Sequence, residues 1–194
     1  MAARSVTTVH PEAGPEARPA ADMDRGRVPA GPRAPDVVVV GLGNGIRGDD
    51  AVGLLALRRL SGSGRWPGVR FVESEESNIN LLEVLEGAGT LLLLDTISTA
   101  DGRHGTVHHL DIDALRGAGE AYATHQVGVA RVLDLGRTLV LPMPESATIL
   151  ALEIAPSDDF GLGLSPEGRA GLERLVSEAT SVLDRFLPPG PTRP

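Results

Sequence analysis

Two apolar runs without alternation constrain this chain more than any other feature. Val37-Val38-Val39-Val40 leads into a glycine-dense turn, and Leu91-Leu92-Leu93-Leu94 ends on Asp95. A strand with one wet face alternates apolar and polar residues. A run that is apolar at every position is covered on both faces, and these runs are short enough to be strands. The cover must come from helices, and helical patterns fall between the strand candidates. Expected strands are 36–40, 69–73, 90–95, 105–110 and 147–154. Expected helices are 50–60, with Val52, Leu55 and Leu60 facing inward, then 80–89, 127–135 opened by Thr124-His125, and a long one after Ser165. Residues 111–119 read as loop or weak helix, and 155–164 as a polar loop.

The last helix has the plainest start. Ser165-Pro166-Glu167 offers a capping hydroxyl, a proline at the first helical position and an acid in the first turn. Leu172, Leu175, Val176, Ala179, Val182, Leu183 and Phe186 follow at steps of three and four. Pro188 and Pro189 stop it. Strands alternating with helices predict an α/β domain of three layers, a twisted, mostly parallel sheet flanked by helices on both faces. Residues 1–35 are rich in Pro, Ala and Gly and read as a disordered leader. Residues 36–187 read as one domain, and 188–194 as a flexible tail. A domain near this size buries about 70% of its unfolded-chain surface.

Composition removes several kinds of chemistry. The chain has 26 acidic and 18 basic residues, for a net charge of -8, so nucleic acid is not an expected partner. Every basic residue is Arg, which excludes a Schiff-base or phosphate-loop lysine. There is no Cys, hence no disulfide, thiolate metal site or cysteine nucleophile. No apolar run approaches the roughly 20 residues that span a bilayer, and no apolar segment of a secretory signal opens the chain. The expectation is a cytoplasmic protein with no membrane partner, and a monomer.

In sheets of this class ligands collect at the carboxyl ends of the strands. The unusual residues lie there. After the first strand comes Gly41-Leu42-Gly43-Asn44-Gly45-Ile46-Arg47-Gly48-Asp49-Asp50. A dinucleotide fingerprint would need glycine where Ile46 stands, and bare amides where Asp49 and Asp50 enter the helix. Of the two carboxylates, one suffices to cap a helix, the role expected of Asp49. Asp50 is then free to point toward the sheet edge. Asp95 can share that crevice only if the valine and leucine strands are neighbours. His125 beside two carboxylates would complete a nitrogen-and-oxygen site for a divalent transition metal. His104, His108 and His109 are weaker candidates, and adjacent strand residues such as His108 and His109 cannot enter one site. No Gly-x-Ser-x-Gly elbow is present.

The run from Gly41 to Asn44 and from Gly48 to Gly53 resembles the opening motif of the hydrogenase maturation endopeptidases. The strand ending at Asp95, the segment Thr124-His125-Gln126-Val127-Gly128, the strand through Glu153-Ile154 and Gly161-Leu162-Gly163-Leu164-Ser165-Pro166 resemble later parts of that family, in the same order. The resemblance spans roughly residues 36 to 187. It implies removal of a short C-terminal extension from the large-subunit precursor of a nickel–iron hydrogenase after nickel insertion. Asp50, Asp95 and His125 would engage the nickel, which the precursor supplies, and the two aspartates are the catalytic candidates. Gly43, Asn44, Asp49, Glu76 and Ser77 are candidates for contact with the substrate. Many members have Glu at the position of Asp50, and an acidic-Gly-Gly-Thr loop where this chain has Glu73-Ser74-Glu75-Glu76-Ser77-Asn78. Two alternatives stand beside this reading: a non-proteolytic metal-checking or scaffold protein of hydrogenase assembly, and a dinucleotide-binding oxidoreductase.

Overall fold

The computed structural model describes residues 36–75, 79–112, 124–156, 161 and 163–187, with 124–127 described in backbone only. The expected leader and tail, most of 111–119, and Glu76 and Ser77 lie outside the described residues. Five strands form one sheet: β1 (Val37–Leu42), β2 (Arg70–Ser74), β3 (Thr90–Ile97), β4 (Val107–Asp111) and β5 (Ser146–Glu153). Their spatial order is β2-β1-β3-β5-β4, all parallel except β4, which pairs antiparallel with β5. The helices are α1 (Val52–Gly62), α2 (Leu81–Leu85), α3 (Thr124–Thr138) and α4 (Pro166–Phe186).

The two apolar runs become the centre of the sheet. Val37 to Val40 and Leu91 to Leu94 are each at most 1% exposed, because both faces are covered. Val38, Val40, Leu91 and Leu93 pack toward Leu81 and Leu85 of α2 and Val129 and Leu133 of α3. Val37, Val39, Leu92 and Leu94 pack toward Ala56, Leu57 and Leu60 of α1 and Leu172, Leu175 and Ala179 of α4. Each fully buried Val or Leu stabilises the fold by about 1.5–3 kcal/mol relative to exposure. The three-layer, mostly parallel arrangement expected from the sequence is the one observed.

Local differences have local causes. The first helix does not begin directly at residue 50. A single turn of 3-10 helix, Gly48–Ala51, precedes α1, with Gly48 at φ +52° and the Asp50 amide donating to Arg47 O at 3.1 Å. Leu55, expected inward, is half-buried at the surface of α1. The helix expected over 80–89 is only Leu81–Leu85. Gly87 turns the chain at φ +77°, and the amides of Gly87 and Gly89 donate to Pro142 O and Asp36 O, which brings the chain into β3. Strand β4 is an edge strand, as its histidines suggested. The last helix starts as expected: Ser165 accepts the Gly168 amide at 2.9 Å, with proline at its first turn.

Candidate active site

Strand order places the site. The connection leaving β1 covers one face with α1 and leads to β2. The connection leaving β2 covers the other face with α2 and leads to β3, on the far side of β1. The chain therefore diverges at the β1–β3 boundary, and a crevice opens there beyond the carboxyl ends of the strands. The neighbour relation that a shared site requires is present, with Val37 to Gly41 in register with Thr90 to Leu94.

Glycines set how closely α1 sits over this boundary. A Cβ on Gly53 would lie 2.1 Å from Leu42 O and 2.6 Å from Leu94 O, so the first turn of α1 rests on the backbone of both strands. Gly43, at φ +142°, would place a Cβ 2.0 Å from Asp50 O. Only glycine permits both that conformation and that contact. The turn thus folds back on its own helix entrance and delivers Asp50 to the crevice.

Asp50 is half-buried. Its Oδ2 accepts the Asn44 amide at 3.1 Å, and its Oδ1 accepts the Thr96 hydroxyl at 2.9 Å. Asp95 is fully buried, and its Oδ1 accepts the Thr96 amide at 2.8 Å. One residue therefore links both carboxylates, by its hydroxyl to Asp50 and by its amide to Asp95. Charged groups taken from water need such partners. Thr96, itself 5% exposed, was not singled out in the sequence; its only signal there is its place directly after Asp95.

Asp49 is not a cap for its own helix, where no side-chain cap bond is made. Both of its oxygens face Ser165 instead, Oδ1 accepting the amide at 2.7 Å and Oδ2 the hydroxyl at 2.5 Å. It pins the start of α4 to the loop after β1. A second tie lies nearby: the Gly48 amide donates to Gly161 O at 2.9 Å, and the Gly161 amide to Ile46 O at 3.1 Å. The loops leaving β1 and β5 thus meet although β3 lies between those strands.

The amides of the glycine turn are largely spent inside the protein. That of Asn44 goes to Asp50, of Ile46 to the Asn44 side chain at 3.0 Å, of Arg47 to Asn44 O at 3.1 Å, of Gly48 to Gly161 and of Asp50 to Arg47. A pyrophosphate would need such amides free. The turn holds carboxylates and is poorly suited to phosphates.

His125 lies in the first turn of α3. The segment after α3 returns to the amino end of the sheet, where Glu145 donates to Gly89 O and Pro142 accepts from Gly87. The backbone of His125 is accordingly at the carboxyl end, in the helix that covers the same face as Leu93 and Ile97, the face toward which Asp95 alternates. No group of three potential metal-binding side chains occurs among the described residues, which include Asp50 and Asp95 but not the side chain of His125.

A further buried carboxylate was missed as a polar centre. Glu153, at the end of β5, is 1% exposed. Its Oε1 accepts the Thr99 amide at 2.7 Å and the Thr99 hydroxyl at 3.1 Å, and its Oε2 lies 3.0 Å from His108 Nε2. Gly102 has no room for a Cβ, which would fall 1.9 Å from Glu153 Oε1. The connection between β3 and β4 is wrapped around this carboxylate. His108 and His109 do face opposite ways, His109 meeting Glu178 of α4. His104 is exposed.

The sequence model of the hydrogenase maturation protease family matches residues 56–182. The hydrogenase expression/formation protein HupM of Azotobacter chroococcum is 26% identical over 153 residues, which cover 77% of this chain and 72% of that protein. Among solved structures, the hydrogenase maturating endopeptidase HybD of E. coli superposes with a TM-score of 0.65 at 22% identity, covering 77% of this chain and 93% of that one. The [NiFe] hydrogenase maturation protease HybD of Thermococcus kodakarensis gives a TM-score of 0.61 at 23% identity, covering 76% and 98%.

Proposed function

The chain belongs to the hydrogenase maturation protease family, and from that premise we propose that it is the endopeptidase that removes the C-terminal extension of a nickel–iron hydrogenase large-subunit precursor. Nickel already seated in the precursor is the recognition element, held by Asp50, Asp95 and His125. The observation that carries this reading is the Thr96 link, which ties Asp50, in the turn after β1, to Asp95, near the end of β3, beside the crevice between those strands.

Two carboxylates and an imidazole form an oxygen-and-nitrogen donor set suited to a divalent transition ion. The set is modest without further ligands, so the ion is brought by the substrate and checked here. Docking the ion fixes the scissile bond beside Asp50. Hydrolysis then needs water deprotonated at that bond, a task open to a half-buried carboxylate as general base. Alternatively, the precursor's nickel, held by Asp50, Asp95 and His125, would supply Lewis-acid polarisation of the water or the carbonyl. The encounter takes place in the cytoplasm, after nickel insertion.

The test is mass spectrometry of a candidate large subunit co-expressed with and without this protein. Loss of a C-terminal peptide only in its presence supports the protease. An intact subunit in both cases supports the metal-checking scaffold instead.

A further inference from the structure

A cleft of about 460 Å³ lies on the α1–α4 face, apart from the carboxylates. Its apolar surface is Leu55 of α1, Leu164 just before α4 and Leu172 within α4, and Arg58, Arg59, Arg169 and Glu173 complete the lining. Three arginines in one cleft stand out in a chain of net charge -8. Two of them are neutralised. Arg58 is held by Glu73 through Nε at 2.8 Å and Nη2 at 2.6 Å, and Arg59 pairs with Glu173 across the two helices. Arg169 is exposed and has no ion-pair partner among the described residues. The cleft therefore offers one unspent guanidinium above an aliphatic floor.

Its position joins it to the site. Leu164 precedes Ser165, the residue gripped by both oxygens of Asp49, and Asp49 precedes Asp50. Helices α1 and α4 both start at the carboxyl end of the sheet, and the residues of the cleft run from Leu55 to Arg59 of α1 and from Arg169 to Glu173 of α4, with Leu164 on the approach to α4. A chain engaged at Asp50 that continues over the Asp49–Ser165 contact runs toward Leu164 and the cleft.

We propose that this cleft binds the end of the C-terminal extension of the precursor, with aliphatic side chains on Leu55, Leu164 and Leu172 and the terminal carboxylate on Arg169. The assignment rests on the protease reading. Charge selects the occupant. An extension that ends the polypeptide necessarily carries a carboxylate, and a guanidinium receives one bidentately. A polyphosphate would need several free cations, and two of the three here are already matched. Cleavage at a bond near Asp50 then releases the segment held in the cleft, so the cleft reads the part of the substrate that is discarded.

The experiment compares wild type, Arg169→Glu and Arg169→Lys on nickel-loaded precursor with its native end, and on the same precursor lengthened by Gly-Ser-Gly. Arg169→Glu should raise KM about tenfold, the loss of one charge-assisted contact, with kcat little changed and partial recovery in Arg169→Lys. Lengthening should raise KM for wild type and add nothing in Arg169→Glu. An unchanged KM in Arg169→Glu, or an equal effect of lengthening on both proteins, overturns the proposal while leaving the protease reading intact. If wild type cuts no precursor, the protease reading falls, and titration with a synthetic extension peptide decides the cleft. A preference for the free over the amidated end that Arg169→Glu abolishes supports it; equal binding of the two ends, or none, overturns it.

Discussion

Thr96 donates its hydroxyl to Asp50 at 2.9 Å and its amide to Asp95 at 2.8 Å, so a single residue of β3 holds the two carboxylates in one geometry. The hydroxyl is the only part of this link that substitution can remove cleanly. Thr96→Val keeps the shape and loses the donor, leaving Asp50 short of one charge-assisted bond. Hydrogen bonds to charged groups contribute about 1.5–3 kcal/mol when buried, and half-burial of Asp50 puts the expected stability loss near the lower figure. Precursor cleavage should fall more than tenfold at a temperature where the variant is folded, and Thr96→Ser should restore most of it. Equal cleavage by Thr96→Val and wild type would show that Asp50 needs no such positioning.

Asp49 and Asp50 are adjacent and do different things. Asp49→Ala leaves the amide and hydroxyl of Ser165 without their acceptor. Two lost bonds amount to about 2–3 kcal/mol, which in a chain of this size lowers Tm by roughly 4–12 °C. Calorimetry checks the shift. Assayed well below its Tm, Asp49→Ala should retain far more cleavage activity than Asp50→Ala.

Gly53 is where α1 meets two strands at once. An alanine methyl would fall 2.1 Å from Leu42 O and 2.6 Å from Leu94 O, and both obstacles are backbone. Relief requires lifting α1 from the sheet, at the upper end of or beyond the ~1–3 kcal/mol typical of overpacking. Gly53→Ala should melt at markedly lower denaturant or fail to accumulate. Gly45→Ala, with nothing within 4 Å of the added carbon, should be neutral in the same urea titration.

Glu153 holds the β3–β4 connection through Thr99 and His108. Glu153→Ala strips a buried acceptor from the Thr99 amide and hydroxyl and from His108, and each buried donor left unsatisfied costs about 1–3 kcal/mol. Glu153→Gln keeps an acceptor for Thr99 and should lose less. Hydrogen exchange should show the Thr99 amide deprotected in the alanine variant and largely protected in the glutamine one.

Much of the fold was legible because its causes are local. Unbroken Val and Leu runs this short and this bounded by turn residues read as strands with two covered faces, and Ser165-Pro166-Glu167 marks a helix start by chemistry that depends on no other part of the chain. The helix boundary at residue 50 was not legible, since it depends on Gly48 at positive φ and on a bond to Gly161. The partners of the polar groups were the least legible. Asp49 reads as a local cap, yet its acceptors serve Ser165, 116 residues away. Thr96 and Glu153 look like ordinary strand residues until pairing of β1 with β3, and of β5 with β3 and β4, brings Asp50, Thr99 and His108 to them. Asp50 and Asp95 stand out in the sequence as carboxylates that follow or end buried apolar runs.

In the proposed function Asp50 and Asp95, with His125, read nickel in a hydrogenase precursor and so direct its cleavage. The direct measurement is mass spectrometry of one purified precursor, nickel-loaded and nickel-free, incubated with wild type, Asp50→Ala, Asp95→Ala and His125→Ala proteins shown to be folded. Loss of the C-terminal peptide is expected only from nickel-loaded precursor and only with wild type. Trimming at the native rate by Asp50→Ala and Asp95→Ala, or equal trimming of nickel-free precursor, would contradict it.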